Sequence, residues 1–221
     1  MKPDEILERV SLPKGGTMVL KRWNNHIAID VNGRSLMSSH EHASEDELGR
    51  LLAKKLAGIP APKVLIGGLG LGYTLRAALD ALPADAKVVV SELIPEVVRW
   101  QRGELGALAG RPLDDPRVEV IVEDVGELIK FGRDYDAILL DVDNGPDALV
   151  SPKNSQLYKR AGLGRARAAL KKGGILAIWS AFPSRTFTIW VKSVGFDVSL
   201  TRADASEARG PRYWIWWAKR V

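Results

Sequence analysis

No cysteine occurs among the 221 residues, which excludes a disulfide framework, a thiolate metal centre and a cysteine nucleophile, and fits a reducing compartment. Histidine is nearly as scarce: His26, His40 and His42 all lie near the amino terminus. On a strand, His40 and His42 would share one face, but zinc needs further ligands and none is offered elsewhere, so no metal is expected. No apolar run approaches the ~18 residues of a membrane-spanning helix, and the charged opening MKPDEILERV lacks the apolar centre of a secretion signal. A cytoplasmic protein without a membrane partner is the expectation. Charge of one sign is modest too. Thirty-two Lys and Arg against 27 Asp and Glu leave +5, less than a committed nucleic-acid binder carries, so no nucleic-acid partner is expected. With 46% hydrophobic and 27% charged residues, collagen-like, disordered and heptad-only chains are excluded.

What is present divides into two textures. Residues 1–60 read as a small extension: a short helix near Glu5 to Arg9, a Gly15-Gly16 turn, a stretch from Met18 to Asp30, then Asn32-Gly33 leading into Arg34 to Ser38. Asn-Gly between apolar segments is a strong hairpin signal. Ser44-Glu45-Asp46-Glu47 has the capping-box pattern, Ser44 facing Glu47, and opens a helix whose apolar face is Leu48, Leu51, Leu52 and Leu56. Residues 61–221 alternate strand and helix. Val64 to Ile66, Val88 to Val90, Val118 to Val122, Ala137 to Leu140 and Ile175 to Trp179 are short apolar runs, as strands covered on both faces require. Leu71 to Leu82, Pro95 to Leu108, Val125 to Phe131 and Leu157 to Lys171 supply helices between them. The prediction is an α/β fold with a Rossmann-like, seven-stranded, mostly parallel sheet. Phe196 to Leu200 and Tyr213 to Ala218 close it as a hairpin, giving one antiparallel edge strand.

The chemistry gathers at strand ends. Gly68, Gly70 and Gly72 form Gly-x-Gly-x-Gly directly after one strand and before a helix, where glycines let the backbone turn sharply beside a nucleotide or nucleoside. Tyr73 stands where a dinucleotide fingerprint wants glycine, and no Gly-Lys-Ser/Thr comes after it to grip phosphates. Glu92 ends the second strand 24 residues past Gly68, near the spacing at which an acid meets ribose hydroxyls. Glu123-Asp124 closes the third strand and Asp141-Val142-Asp143 the fourth, all at the carboxyl edge where open α/β sheets bind ligands. Asp124 also suits a helix cap. The basic run from Lys153 to Lys172 reads as a solvated helix face and Trp214, Trp216 and Trp217 as sheet packing.

Residues 63 to 180 resemble the class I S-adenosylmethionine-dependent methyltransferase fold, and more closely its spermidine-synthase-like branch. VLIGGLGLGYTLRAAL (64 to 79), VVVSELIPEVV (88 to 98), DPRVEVIVEDVGELI (115 to 129), YDAILLDVDNGP (135 to 146) and LYKRAGLGRARAALKKGGILAIWS (157 to 180) carry the likeness. The resemblance implies that Gly68, Gly70 and Gly72 line the cofactor's amino-acid end, that Glu92 holds the ribose and Asp124 the adenine amine, and that Asp141 lies at the reacting centre with Asp143 as the second acid. Three departures stand out. Leu71 replaces the family's aspartate in the glycine turn, the loop after Asp141 is shortened, and Gly49-Arg50-Leu51-Leu52 replaces polyamine-contacting residues. The resemblance and its departures together imply an enzyme that moves an alkyl group from a sulfonium nucleoside to a small-molecule acceptor, an amine among the options. Methyl transfer from S-adenosylmethionine leads, because Leu71 offers no counter-charge to the ammonium of decarboxylated S-adenosylmethionine. A polyamine aminopropyltransferase using that decarboxylated donor is the second reading, and a non-catalytic binding protein on the same scaffold the third. A homodimer is compatible with each.

Overall fold

A computed structural model describes residues 4–13, 15–142, 154–204 and 212–221. The chain opens with four antiparallel strands in sequential order, β1 (Glu5–Ser11), β2 (Thr17–Trp23), β3 (His26–Val31) and β4 (Arg34–Ser38). The segment expected as a short helix is therefore β1. Its backbone bonds go to β2, with Val10 opposite Met18 and a register shift between Ile6 and Glu8, so tertiary pairing overrides a sequence without strong β-branched content. The hairpin at Asn32-Gly33 forms, both residues having positive φ. Asn24 and Asn25 do the same between β2 and β3, dividing the stretch from Met18 to Asp30 into two strands by the same turn chemistry.

Helix α1 (Ala43–Lys55) comes next, with His42 at its N-cap and no side-chain cap bond. The capping box is absent because Ser44 lies inside the helix, where its hydroxyl donates to the adjacent Glu45 carboxylate. The main sheet is then built from β5 (Lys63–Gly67), α2 (Tyr73–Ala81), β6 (Lys87–Glu92), α3 (Pro95–Arg102), β7 (Val118–Val122), α4 (Val125–Phe131) and β8 (Tyr135–Leu140). After α5 (Asn154–Leu157) and α6 (Arg160–Ala169) come β9 (Leu170–Ser180), α7 (Arg185–Ser193), β10 (Phe196–Asp204) and β11 (Arg212–Arg220). Strand order is β10-β11-β9-β8-β5-β6-β7. The expected seven strands are present, but the antiparallel strand is β11, one place in from the edge. The crossover through α7 makes β10 parallel to β9 and leaves a gap between them that only the returning chain fills. Trp216 and Trp217 in β11 are buried, which settles them as packing residues.

One core cluster joins the two sheets: Val10, Met18 and Ile29 of the small sheet belong with Leu48 and Leu52 of α1 and Ile66 of β5. A second, containing Leu163, Ile178 and Trp216, fills the opposite face. The small sheet thus lies over the carboxyl end of the central strands. Several residues of the basic run are engaged structurally. Arg167 donates to the carbonyls of Gly195 and Val221, and Lys171 to buried Asp136. Among the described residues no helix is long and apolar enough to cross a membrane.

Candidate active site

Parallel strands end their ladders at a common edge, and the chain there must turn back into helices. At that edge Gly67 accepts from the Asp141 amide, Gly68 donates to the Ser91 carbonyl and Glu123 donates to the Glu92 carbonyl. The ends of β5, β6, β7 and β8 are thereby tied together just where β5 enters the glycine turn. Gly68, Gly70 and Gly72 all have positive φ. A Cβ on Gly68 would collide with the Asp141 carbonyl, and one on Gly70 with the Met37 side chain. The turn is therefore clasped between the end of β8 and the last residues of β4.

A cavity of about 160 Å³ opens beside this turn, and Gly68, Gly70, Glu92, Asp124 and Asp141 all line it. Glu92 is 8% exposed. Its carboxylate accepts from the amides of Leu69 at 3.0 Å and Ile94 at 2.9 Å. Burial pushes its carboxyl above the ordinary range, against these donors, which favour the ionised form. The Gly70 and Leu93 amides also favour its ionised form, so the carboxylate sits among the backbone donors of the glycine turn and of the loop that follows β6. Asp124 caps α4, accepting from the Gly126 amide at 2.8 Å through one oxygen. Asp124 thus caps α4 and also lines the cavity.

Asp141 and Glu45 approach from different elements. Asp141 lies just past β8 and accepts from the Thr74 hydroxyl at 2.6 Å. Burial raises its carboxyl above the usual carboxylate range, and the Thr74 bond opposes that only in part. Glu45 comes from the first turn of α1 and lines the same cavity. Burial, then the charge of Asp141, pushes it up to about 7. The cavity also has an apolar lining, with Met18, Ile29, Leu36 and Met37 from the small sheet and Trp179 from β9.

Gly72 is not a cavity residue. It caps α2, and its α-carbon faces Gln101 and Pro112. Asp143 and the shortened loop lie outside the described residues. Leu71 is 2% exposed in the apolar core, and its side chain packs there rather than lining the cavity. Glu45 is the acid that sequence reading missed. Its only signal, Ser44-Glu45-Asp46-Glu47, pointed to a helix start, and nothing local shows which of three acids faces a strand end some 100 residues later. His40 and His42 also part company: the His40 ring lies 4.6 Å from that of His26, while His42 stacks on Tyr73.

Comparison with known proteins bears on the scaffold. A solved spermidine synthase in complex with the transition-state analogue AdoDATO superimposes with a TM-score of 0.80 at 18% identity, covering 98% of this chain and 74% of that one. The fold is that of spermidine synthase. In sequence, the chain is 29% identical over 175 residues to a polyamine aminopropyltransferase of Pyrobaculum calidifontis, covering 68% of this chain and 59% of that protein. It is 34% identical over 163 residues to polyamine aminopropyltransferase 2 of Caldanaerobacter subterraneus subsp. tengcongensis, covering 70% and 51%. No protein-family model matches. The chain therefore spans between half and three-fifths of these relatives. The likeness read from residues 63 to 180 to the spermidine-synthase-like branch stands, and the relatives named here are aminopropyltransferases rather than methyltransferases.

Proposed function

We propose that the chain is a transferase that moves the aminopropyl group of decarboxylated S-adenosylmethionine to an amine. The supporting observation is the cavity at the carboxyl edge of a spermidine-synthase fold, lined by five acids, Glu45, Glu92, Glu123, Asp124 and Asp141. Among the described residues no lysine or arginine forms an ion pair with Glu45, Glu92 or Asp141. Such a site favours cations, and both the sulfonium donor and a protonated amine are cations. Sequence similarity to polyamine aminopropyltransferases points the same way. Methyl transfer, the leading reading from sequence, rested on Leu71, whose side chain is in the core. Without that argument it has no observation in its favour.

In this reading Glu92 accepts the ribose hydroxyls, Asp124 the adenine amine, and the Gly68 to Gly70 backbone passes close beneath the donor's chain. The donor supplies an activated carbon next to a positively charged sulfur. The protein's part is positioning, exclusion of water by the apolar wall of the small sheet, and removal of a proton near Asp141. The direct test offers decarboxylated and intact S-adenosylmethionine separately with a panel of mono- and diamines and identifies products by mass spectrometry. Aminopropylated amine from the decarboxylated donor supports the proposal. Methylated product from the intact donor, with none from the other, overturns it.

A further inference from the structure

Resting on the reading above, we propose that Trp179 sets the specificity for the acceptor: its indole N–H donates to a hydroxyl carried by the amine, so the preferred acceptor is an amino alcohol rather than a plain amine or diamine of the same length.

The position of Trp179 comes first. Strands β8 and β9 are parallel with Leu140 opposite Ile178, so Trp179 stands one residue further on, level with Asp141, on a strand about 4.8 Å away. Both residues line the cavity. Side chains alternate along β9: Ile178 belongs to the core cluster on the far face, while Ala177 and Trp179 belong to the one beneath the small sheet. The ring is also held in place. It is 8% exposed and lies against Tyr213 with ring centroids 4.7 Å apart. Just beyond it the chain is pinned by Ser180, whose hydroxyl donates to the Phe182 carbonyl and accepts from the Phe182 amide.

The indole N–H is what sets this residue apart. Among the described residues the other buried tryptophans are all satisfied: Trp100 donates to Glu8, Trp216 to Thr188 and Trp217 to Thr201. The N–H of Trp179 is buried and has no acceptor. An indole N–H only donates, and a buried donor without a partner is rare enough to need a reason. That the exception lies at the cavity points to an acceptor atom on a bound molecule.

The chemistry around the cavity narrows that atom. In the sheet, β9 lies on the far side of β8 and β5 from β6 and β7, which bring Glu92 and Asp124, so the donor's ribose and adenine are placed away from it. The donor's transferred chain runs from a sulfonium to an ammonium and offers no hydrogen-bond acceptor. The atom therefore belongs to the acceptor. A carboxylate is disfavoured there, because the described lining includes five acids and no lysine, arginine or histidine. A hydroxyl meets both demands, accepting from the indole while its own proton goes to a carboxylate of the cavity. A plain diamine presents only ammonium donors and leaves the indole unpaired, and sites built around a substrate hydroxyl discriminate strongly against analogues that lack it.

The experiment uses matched amines, diaminopropane against diaminopropanol and butylamine against aminobutanol, with wild type and Trp179→Phe, which keeps a ring against Tyr213 and removes the N–H. Calorimetry in the presence of 5′-methylthioadenosine gives the affinities, and steady-state assays give acceptor kcat/KM. Wild type is expected to bind the better of the two hydroxyl amines at least tenfold more tightly than its plain counterpart. In Trp179→Phe that ratio falls to within twofold, while affinity for the plain amine stays within twofold of wild type. A wild type that binds each plain amine as tightly as its hydroxyl partner, or binds none of the four, overturns the inference, as does a Trp179→Phe that keeps the preference. Should thermal melts show that Trp179→Phe fails to fold, the wild-type ratios decide alone. Hydroxyl-selective binding without aminopropyl transfer to any amine leaves the inference standing and removes the proposed reaction; equal transfer to both members of each pair does the reverse.

Discussion

At the scale of single residues, the acids of the cavity differ in what holds them, and so in what their removal does. Glu92 accepts from the amides of Leu69 and Ile94, so Glu92→Ala both removes an acceptor for a ligand and frees two buried amides. A loss of about 1 to 3 kcal/mol in nucleoside binding is expected, with a comparable fall in stability, read by calorimetry and urea denaturation. Stability falling while nucleoside affinity stays constant would mean that Glu92 serves only the turn. Glu45 behaves in the opposite sense. Its carboxyl in the folded chain titrates near 7, above its unfolded range, so its contribution is fully present below about pH 4.5 and is lost as pH rises through about 7. Glu45→Gln is accordingly expected to be more stable than wild type at pH 8, by about 1 to 3 kcal/mol, with the difference vanishing near pH 4. Urea midpoints at the two pH values check this.

At the scale of elements, the glycine turn separates positions that look alike in sequence. Gly68 packs against the Asp141 carbonyl, which cannot move without disturbing β8, whereas Gly70 meets the flexible end of Met37. Gly68→Ala is therefore expected to abolish nucleoside binding. Gly70→Ala, at φ +49, adds a penalty of about 1 kcal/mol from its left-handed backbone and a weaker effect on binding. Equal affinities in a side-by-side titration would refute this ordering. Arg117, just before β7, joins the elements on that flank. It pairs with Asp115 at 2.7 Å and donates to the carbonyls of Leu79, Leu82 and Pro83. The Arg117 guanidinium holds the Asp115 carboxyl down at about 2. That stabilisation is present above the unfolded value near 4 and is lost as pH falls through about 2. Arg117→Ala should cost about 1 to 3 kcal/mol at pH 7 by removing its bonds to three carbonyls and leaving half-buried Asp115 without its partner, and less in acid, measurable from denaturation curves at pH 7 and pH 3.

At the scale of the whole molecule, the small sheet is part of the site. Its apolar residues share a core cluster with α1 and the central strands, and Met18, Ile29, Leu36 and Met37 line the cavity together with the acids. Excluding water there strengthens every electrostatic interaction within the cavity. Strand β11 plays the equivalent part for the main sheet. It bonds to both β9 and β10, and Trp216 is fully buried with its indole donating to Thr188 on α7. Trp216→Ala is expected to cost about 3 to 5 kcal/mol and to loosen the end of the sheet that carries Trp179. A melting temperature within a degree or two of wild type would show that β11 is dispensable to the sheet.

Local chemistry was enough to determine the alternation of strand and helix, the glycine turn, the acids at strand ends and the Asn32-Gly33 hairpin, because each depends on residues close in the chain. Four of those strand-end residues, Gly68, Glu92, Asp124 and Asp141, come together with Gly70 around one cavity, as parallel topology requires. The tertiary structure alone decided the rest. Glu5 to Ser11 is a strand because β2 lies beside it, and β11 sits inside the edge because a crossover leaves room there. Leu71 points into the core although Gly70 beside it opens to the cavity. Glu45 and Asp141 share one cavity through the packing of α1 against the sheet, and no periodicity or spacing within either segment encodes a juxtaposition across nearly a hundred residues. These outcomes depend on which surfaces bury one another, a property of the folded chain that short-range propensity does not contain.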